Sequence, residues 1–287
     1  MDEINQNSSQ EAIINFCAYP PSELCLTDPQ YSNRVVKLPG RGLVKYGRGV
    51  RPNEAPNQRC AREIIDLAIV YVPEVYRNFT DANGIEYIIM EHIEGKPVTR
   101  LDSDPLKDRV TKILAHFASI HSSKPGPLGH GSSPALIFGE QEEPEFHSIM
   151  DVEQWINARL LKHQTPISLQ GLQLSLCHLD IAPRNMLERN DGSICLLDWA
   201  SAGYYPWFFE ASAQRLVEGQ DNSFHTQLLD CMRQPSEEEN CQIDAILIAH
   251  FNCQKYYLFV ISSKMPHYLA RLEANSLGQD YPTVHRY

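Results

Sequence analysis

The chain has 287 residues, of which 43% are hydrophobic and 21% charged, enough for one large domain or two modest lobes around a buried core. Its formal net charge of −11 argues against a nucleic-acid or membrane-surface partner, because both demand clustered Lys and Arg. The eight cysteines form no CxxC pair, which argues against a zinc or thioredoxin-like site and for free thiols in a reducing cytoplasm.

The opening MDEINQNSSQ has no basic stretch leading into an apolar one, so it does not read as a secretory signal. Ser8-Ser9-Gln10-Glu11 before Ala12, Ile13, Ile14 and Phe16 predicts a capped helix that Pro20-Pro21 stops. Two strand-like runs, Val35 to Leu38 and Leu43 to Tyr46, flank Pro39-Gly40-Arg41-Gly42 as a hairpin. A helix from about Glu54 to Ala68 follows, then strands over Glu74 to Phe79 and Ile85 to His92 around the turn Asp81-Ala82-Asn83-Gly84. Gly95-Lys96-Pro97 marks a lobe junction, dividing the chain into residues 1–94 and 95–287.

Beyond it Leu106, Val110, Ile113, Leu114, Phe117 and Ile120 recur at helical spacing. A Gly-, Pro- and acid-rich loop covers Ser122 to His147, and a helix runs through Val152, Trp155, Ile156, Leu160 and Leu161. After Ala202 the chain reads as helical, including Ile243 to Ser262. The apolar run there is broken by His250, Asn252, Gln254 and Lys255, as in a buried helix and not a membrane span. The outline is α+β: a small antiparallel-sheet lobe followed by a mainly helical lobe.

The chemistry concentrates between Cys177 and Trp199. Asp191-Gly192 is a two-residue hairpin signal of the type I′ kind, so paired residues should have numbers summing to 383. Asn190 would then face Ser193, and Asn185 would face Asp198 on one side of the ribbon. Two oxygen ligands side by side suit a hard cation such as Mg²⁺, and Asp180, five residues upstream of Asn185, can accept the proton of an attacking hydroxyl. Any one of these residues alone would read as turn or cap chemistry; the three together point to a metal–phosphate site.

His178-x-Asp180-x-x-x-x-Asn185 followed by Leu197-Asp198-Trp199 resembles the catalytic loop and metal motif of the aminoglycoside phosphotransferase family, in particular its large fungal branch. The resemblance covers about Val35 to Glu210. It implies a two-lobed, protein-kinase-like fold and transfer of phosphate from ATP or GTP to the hydroxyl of a small molecule. It further implies Asp180 as catalytic base, with His178 bracing its loop, and Asn185 and Asp198 as holders of Mg²⁺. Lys45 would contact the ATP phosphates with Glu54 as its ion-pair partner. Glu91 and Ile93, in Met90-Glu91-His92-Ile93, would hold adenine through backbone groups at the hinge. Glu210 would be structural. The chain departs from the family at Leu179, where Gly is usual, and at Asp28 to Asn33, where no Gly-rich phosphate loop stands. Those departures motivate an alternative, a kinase-fold protein that binds nucleotide or a partner without transferring phosphate. A protein kinase is disfavoured because no APE-like segment follows Trp199.

Overall fold

In the computed structural model of this chain, residues 4–28, 31–139, 143–218 and 221–264 are described. Helix α1 (Gln10–Ala18) begins where the Ser9 hydroxyl accepts the Ala12 N–H at 3.2 Å, as the sequence requires. Its apolar face, Ile13 and Cys17, covers one side of a four-stranded antiparallel sheet. The strands are β1 (Asn33–Lys37), β2 (Gly42–Gly47), β3 (Val75–Thr80) and β4 (Glu86–Glu91), in the order β1-β2-β4-β3. Helix α2 (Glu54–Ile64) connects β2 to β3.

Period-2 alternation decides what each face of this sheet does. Val44 and Tyr46 of β2 join Val36, Phe79, Tyr87 and Ile89 beneath α1. Ile88 and Met90 point the other way, into a smaller cluster with Ala55 of α2. Lys45 lies opposite Ile88 in the ladder, so the pleat aims its side chain at α2 and not at the α1 core.

The larger lobe begins with β5 (Gly95–Pro97) and α3 (Asp104–Ser119), whose Leu106, Val110, Ile113 and Phe117 are buried at helical spacing. Short strands β6 (His121–Ser122) and β7 (Gly126–Pro127), then α4 (Ile149–Asn157) and β8 (Leu174–Cys177), follow. Next come β9 (Met186–Arg189), β10 (Ile194–Leu196) and β11 (Gly203–Tyr205). Helices α5 (Phe208–Leu216), α6 (Phe224–Cys231) and α7 (Glu237–Lys264) complete the described chain. Two small sheets, β10-β9-β5 and β6-β8-β11-β7, present the loops that leave β8 and β10. Beneath them Phe138, Trp199, Tyr205, Phe208 and Phe209 are all at most 2% exposed. Truncating one such aromatic typically costs ~3–5 kcal/mol, so this cluster fixes the platform under the loops.

Two sequence expectations need correction, the end of α2 and the extent of α4. α2 ends at Ile64 and not near Ala68, because the Asp66 carboxylate takes the Ala68 N–H at 2.9 Å and starts a local turn that competes with the helix. Gly95-Lys96-Pro97, read as the lobe junction, pairs antiparallel with β9 in a sheet of the larger lobe. Leu160 and Leu161 lie past the end of α4. No described helix is long and apolar enough to cross a membrane.

Candidate active site

The β9–β10 hairpin carries the centre of the site, and its register differs from expectation. Ile194 pairs with Glu188, Cys195 with Leu187 and Leu196 with Met186, so partner numbers sum to 382 and not 383. Asn190 therefore does not face Ser193, and Asn185 is not directly opposite Asp198. The Asp191 carboxylate accepts both the Ser193 N–H (2.9 Å) and its hydroxyl (2.6 Å). That capture favours ordinary backbone at Asp191, whereas a type I′ turn demands positive φ at both central residues. Only Gly192 turns left-handed, at φ 80°, and the loop takes three residues. Asn185 instead receives the Leu197 N–H on its carbonyl at 2.8 Å. Asp198, one residue further, leaves the ribbon through a left-handed kink at φ 57°, ψ 72°.

Asp180 sits on the loop after β8, which Glu210 holds from below. One carboxylate oxygen of this buried residue accepts the backbone N–H of His178 (2.6 Å) and of Leu179 (2.9 Å). The His178 ring is fully buried, lies edge-on to Trp199 with centroids 4.6 Å apart, and places Nε2 3.1 Å from the Leu197 carbonyl. Burial pushes that imidazole down to about 4, so it is neutral and donates from Nε2. It thus ties the Asp180 loop to the Asp198 segment. The side-chain amide of Asn185 donates to the Asp180 carbonyl (2.9 Å) and to Asp180 Oδ2 (2.7 Å), while Arg184 pairs with Oδ1. Burial pushes Asp180 up to about 6, Arg184 opposes it and the nearby charge of Asp198 adds to it.

Across the cleft, Lys45 Nζ bridges Glu54 Oε1 at 2.6 Å and Asp198 Oδ2 at 3.1 Å. Burial favours the neutral amine, but Asp198 and Glu54 outweigh it and hold the lysine above its ordinary range. Burial raises the Glu54 carboxyl to about 7 against the pull of Lys45. Asp198 is pushed up by burial too, yet Lys45, foremost, and Arg184 more than offset this and keep it below the usual carboxylate range. The sheet lysine, the α2 glutamate and the large-lobe aspartate are therefore one charged unit across the two lobes.

At the hinge, the Glu91 N–H goes to the Glu74 carbonyl and the His92 N–H to the Arg41 carbonyl, each at 2.8 Å. The Glu91 carboxylate is occupied by the Tyr71 hydroxyl at 2.9 and 3.0 Å. Among the described residues nothing takes the backbone N–H or carbonyl of Ile93. A cleft of about 250 Å³ lies between Glu91–Glu94 and Arg189–Asp191. Before β1 the Thr27 hydroxyl accepts the Val35 N–H at 2.9 Å; Pro29 and Gln30, in the Asp28 to Asn33 stretch set against a phosphate loop, lie outside the described residues.

Lys45, Glu54, His178, Asp180, Asn185 and Asp198 thus converge in the structure, and Glu91 and Ile93 stand apart at the hinge. The sequence reading assigned nothing to Arg184, although its spacing of four from Asp180 is visible, and nothing to Asn57. It gave Glu210 only a general structural part.

Two oxygens in this cluster fit a divalent cation. Asn185 spends its N–H groups on Asp180, which leaves its amide oxygen without a protein donor among the described residues; Asp198 Oδ1 is likewise free. An amide oxygen beside an ionised carboxylate is the sparse, hard donor set that Mg²⁺ takes from proteins. Among the described residues no cluster of three or more His, Cys, Asp or Glu side chains offers an alternative metal site.

A model of the phosphotransferase enzyme family, APH, matches residues 31–224. No curated protein matches the chain. Among solved structures it is similar to a thermostable mutant of aminoglycoside phosphotransferase APH(4)-Ia in ternary complex with AMP-PNP and hygromycin B. That likeness has a TM-score of 0.55 and 15% identity over 94% of this chain and 97% of the other. It is also similar to wild-type aminoglycoside 2'-phosphotransferase-IIIa in its GDP complex, with a TM-score of 0.50 and 13% identity over 90% of this chain and 93% of that one. At these identities the structural likeness shows the fold, a two-lobed kinase-like α+β architecture.

Proposed function

Because the chain belongs to the phosphotransferase enzyme family, we propose that it transfers the γ-phosphoryl group of ATP or GTP to a hydroxyl of a small molecule in a reducing cytoplasm. Residues 1–94 form the nucleotide-binding lobe in this reading and residues 95–287 the catalytic and acceptor-binding lobe. The observation that carries it is the bridge from Lys45 to both Glu54 and Asp198, which assembles a cation and two carboxylates from opposite walls of one cleft.

Lys45 is positioned to clamp nucleotide phosphates, and Glu54 keeps its ammonium charged and aimed. Ile93 offers the free backbone groups for the adenine, and Glu91 contributes through the backbone alone. Asn185 and Asp198 are the residues that would hold Mg²⁺, which when bound neutralises phosphate charge. Asp180 faces the acceptor. As the hydroxyl oxygen bonds to the γ-phosphorus and the bond to the β–γ bridging oxygen breaks, the hydroxyl proton passes to Asp180 and the nucleoside diphosphate departs. His178 and Glu210 hold the Asp180 backbone in place through the bonds described above, so positioning lowers most of the barrier. The AMP-PNP, GDP and hygromycin B in the neighbouring proteins support nucleotide use and a small hydroxyl-bearing acceptor.

The direct test is Asp180→Asn. Turnover is expected to fall ~100- to 10,000-fold, the usual worth of a positioned base, while nucleotide affinity and melting temperature stay close to wild type. Unchanged turnover overturns the role given to Asp180. Stabilisation of the wild type by MgATP without turnover across a broad acceptor panel would instead identify a nucleotide-binding protein without transfer activity.

A further inference from the structure

Asn57 lies one turn along α2 from Glu54 and is fully buried, at 0% exposure. Its amide nitrogen lies 3.1 Å from the Trp199 carbonyl, 3.0 Å from that of Ala200 and 3.3 Å from that of Ala202. Its amide oxygen accepts the Gly129 N–H at 2.6 Å. Trp199 to Ser201 is the tight turn immediately following Asp198, and Gly129 lies on the loop after β7. One side chain of the small lobe therefore saturates backbone groups on two separate segments of the large lobe.

Three neighbours reinforce the same contact. Asn53 donates to the Ser132 carbonyl at 3.2 Å, and Arg51 pairs with Glu143. A Cβ at Gly129 would stand 2.6 Å from Pro56 Cβ and 3.0 Å from the Asn57 nitrogen, so the loop approaches α2 as closely as a residue without a side chain permits.

We infer that Asn57 is a positioning residue that latches α2 to the large lobe, so that Glu54 meets Lys45 and Asp198 before any nucleotide arrives. The inference rests on the phosphotransfer reading above for its consequence, but not for its geometry. A lysine–glutamate bond of 2.6 Å tolerates little drift of the helix, and on the side of its own sheet α2 is held by Ala55 packed on Ile88 and Met90 and by the bonds of Gln58 to the Pro73 carbonyl, Arg59 to Asn78 and Arg62 to the Val72 carbonyl. Removing Asn57 strands the Gly129 N–H and the Ala200 carbonyl in the interface, while the Trp199 and Ala202 carbonyls keep the N–H groups of Ala202 and Leu128, and it releases the helix that carries Glu54. With the latch in place, the bridge to Asp198 needs no separate activating event.

The test combines hydrogen exchange with a double-mutant cycle. In Asn57→Ala, exchange is expected to rise at least about tenfold in peptides covering 54–64, while the strands at 33–47 and 75–91 keep wild-type protection. Gly129→Ala, which leaves Asn57 itself intact, is expected to act in the same direction and decides the matter if the first variant does not fold. In turnover, Asn57→Ala is expected to lower kcat about 30-fold with acceptor KM within twofold, and Asn57→Ala/Glu54→Ala to match Glu54→Ala alone, since both act through one contact. Exchange that is unchanged at α2 in both variants, or that rises equally in the sheet, overturns the inference, as do losses of kcat that multiply. A wild type without turnover defeats the proposed reaction and leaves the exchange result to judge the latch by itself.

Discussion

Leu179 stands where the related family carries glycine, and its backbone shows why glycine is the usual choice: φ is 62°, in the left-handed region. Placing a leucine there costs ~1–2 kcal/mol. The side chain is only 3% exposed, however, and burying a leucine returns ~1.5–3 kcal/mol before any cavity penalty is counted. Burial wins. Leu179→Gly is therefore expected to lower stability by ~1–3 kcal/mol despite relieving the backbone, read as a fall in denaturant midpoint; a stabilised variant would contradict this balance. Lys45→Met is expected to weaken nucleotide binding and also to leave Glu54 and Asp198 as unpaired neighbouring carboxylates, with a stability loss of ~3–5 kcal/mol that a urea melt would register. At this scale Asp180, Asn185 and Asp198 were legible as candidates, because three carboxylate or amide groups at that spacing exceed what turn chemistry requires, whereas Lys45 entered only through the family resemblance of Val44-Lys45-Tyr46-Gly47. Asn57 was not: an asparagine early in a helix reads as an exposed end residue, and only the tertiary fold supplies the carbonyls it binds.

α2 buries Glu54, Asn57, Gln58 and Ala61, spaced i, i+3, i+4, i+7, with Ala55 beside them. That is the geometry of an amphipathic helix with polar residues on the inward face. Hydropathy gives such a helix no orientation, which is why its contacts had to come from the structure. The β9–β10 hairpin teaches a second lesson. Its existence and its Gly192 were readable from Asp191-Gly192, but the register hung on one side-chain hydrogen bond, and a loop of three residues displaces every pair by one. Asp198 still reaches Lys45 because its own left-handed kink redirects the carboxylate. Gly192→Ala would place a Cβ at φ 80° and 3.3 Å from an Arg109 nitrogen. It is expected to cost ~1–2 kcal/mol, visible in a chemical melt, and no measurable loss would dispute the turn assignment.

Across the whole molecule, the alternation of strands and helices placed the small sheet first and the helical lobe second, and the structure agrees. What the sequence concealed is how firmly the lobes are joined, since the joints are buried polar groups: Lys45 with Asp198, and Asn57 with three carbonyls. Buried ionisable groups also shape the pH response. His178 is held at about 4 by burial, below an ordinary histidine, so protonation favours the unfolded chain. Its contribution is fully present above pH ~6.5 and is lost as pH falls towards 4. His225 and His250 shift in the same direction, also through burial. Glu54, raised to about 7, Asp180, raised to about 6, and Glu210, also raised by burial, act with the opposite sign, and their contribution is lost as pH rises from ~4. The two sets oppose each other, so His178 is read from a difference: between pH 7 and 4 the urea midpoint of a folded His178→Asn variant is expected to lose less on acidification than that of the wild type, and identical slopes would remove His178 from the explanation.

The most direct measurement offers γ-labelled MgATP and a small-metabolite extract to the wild type and to Asp198→Ala, with products separated by mass spectrometry. Label is expected in at least one small hydroxyl compound with the wild type and in none with the variant. No labelled metabolite from the wild type under conditions where it binds nucleotide, or equal labelling by both proteins, would contradict it.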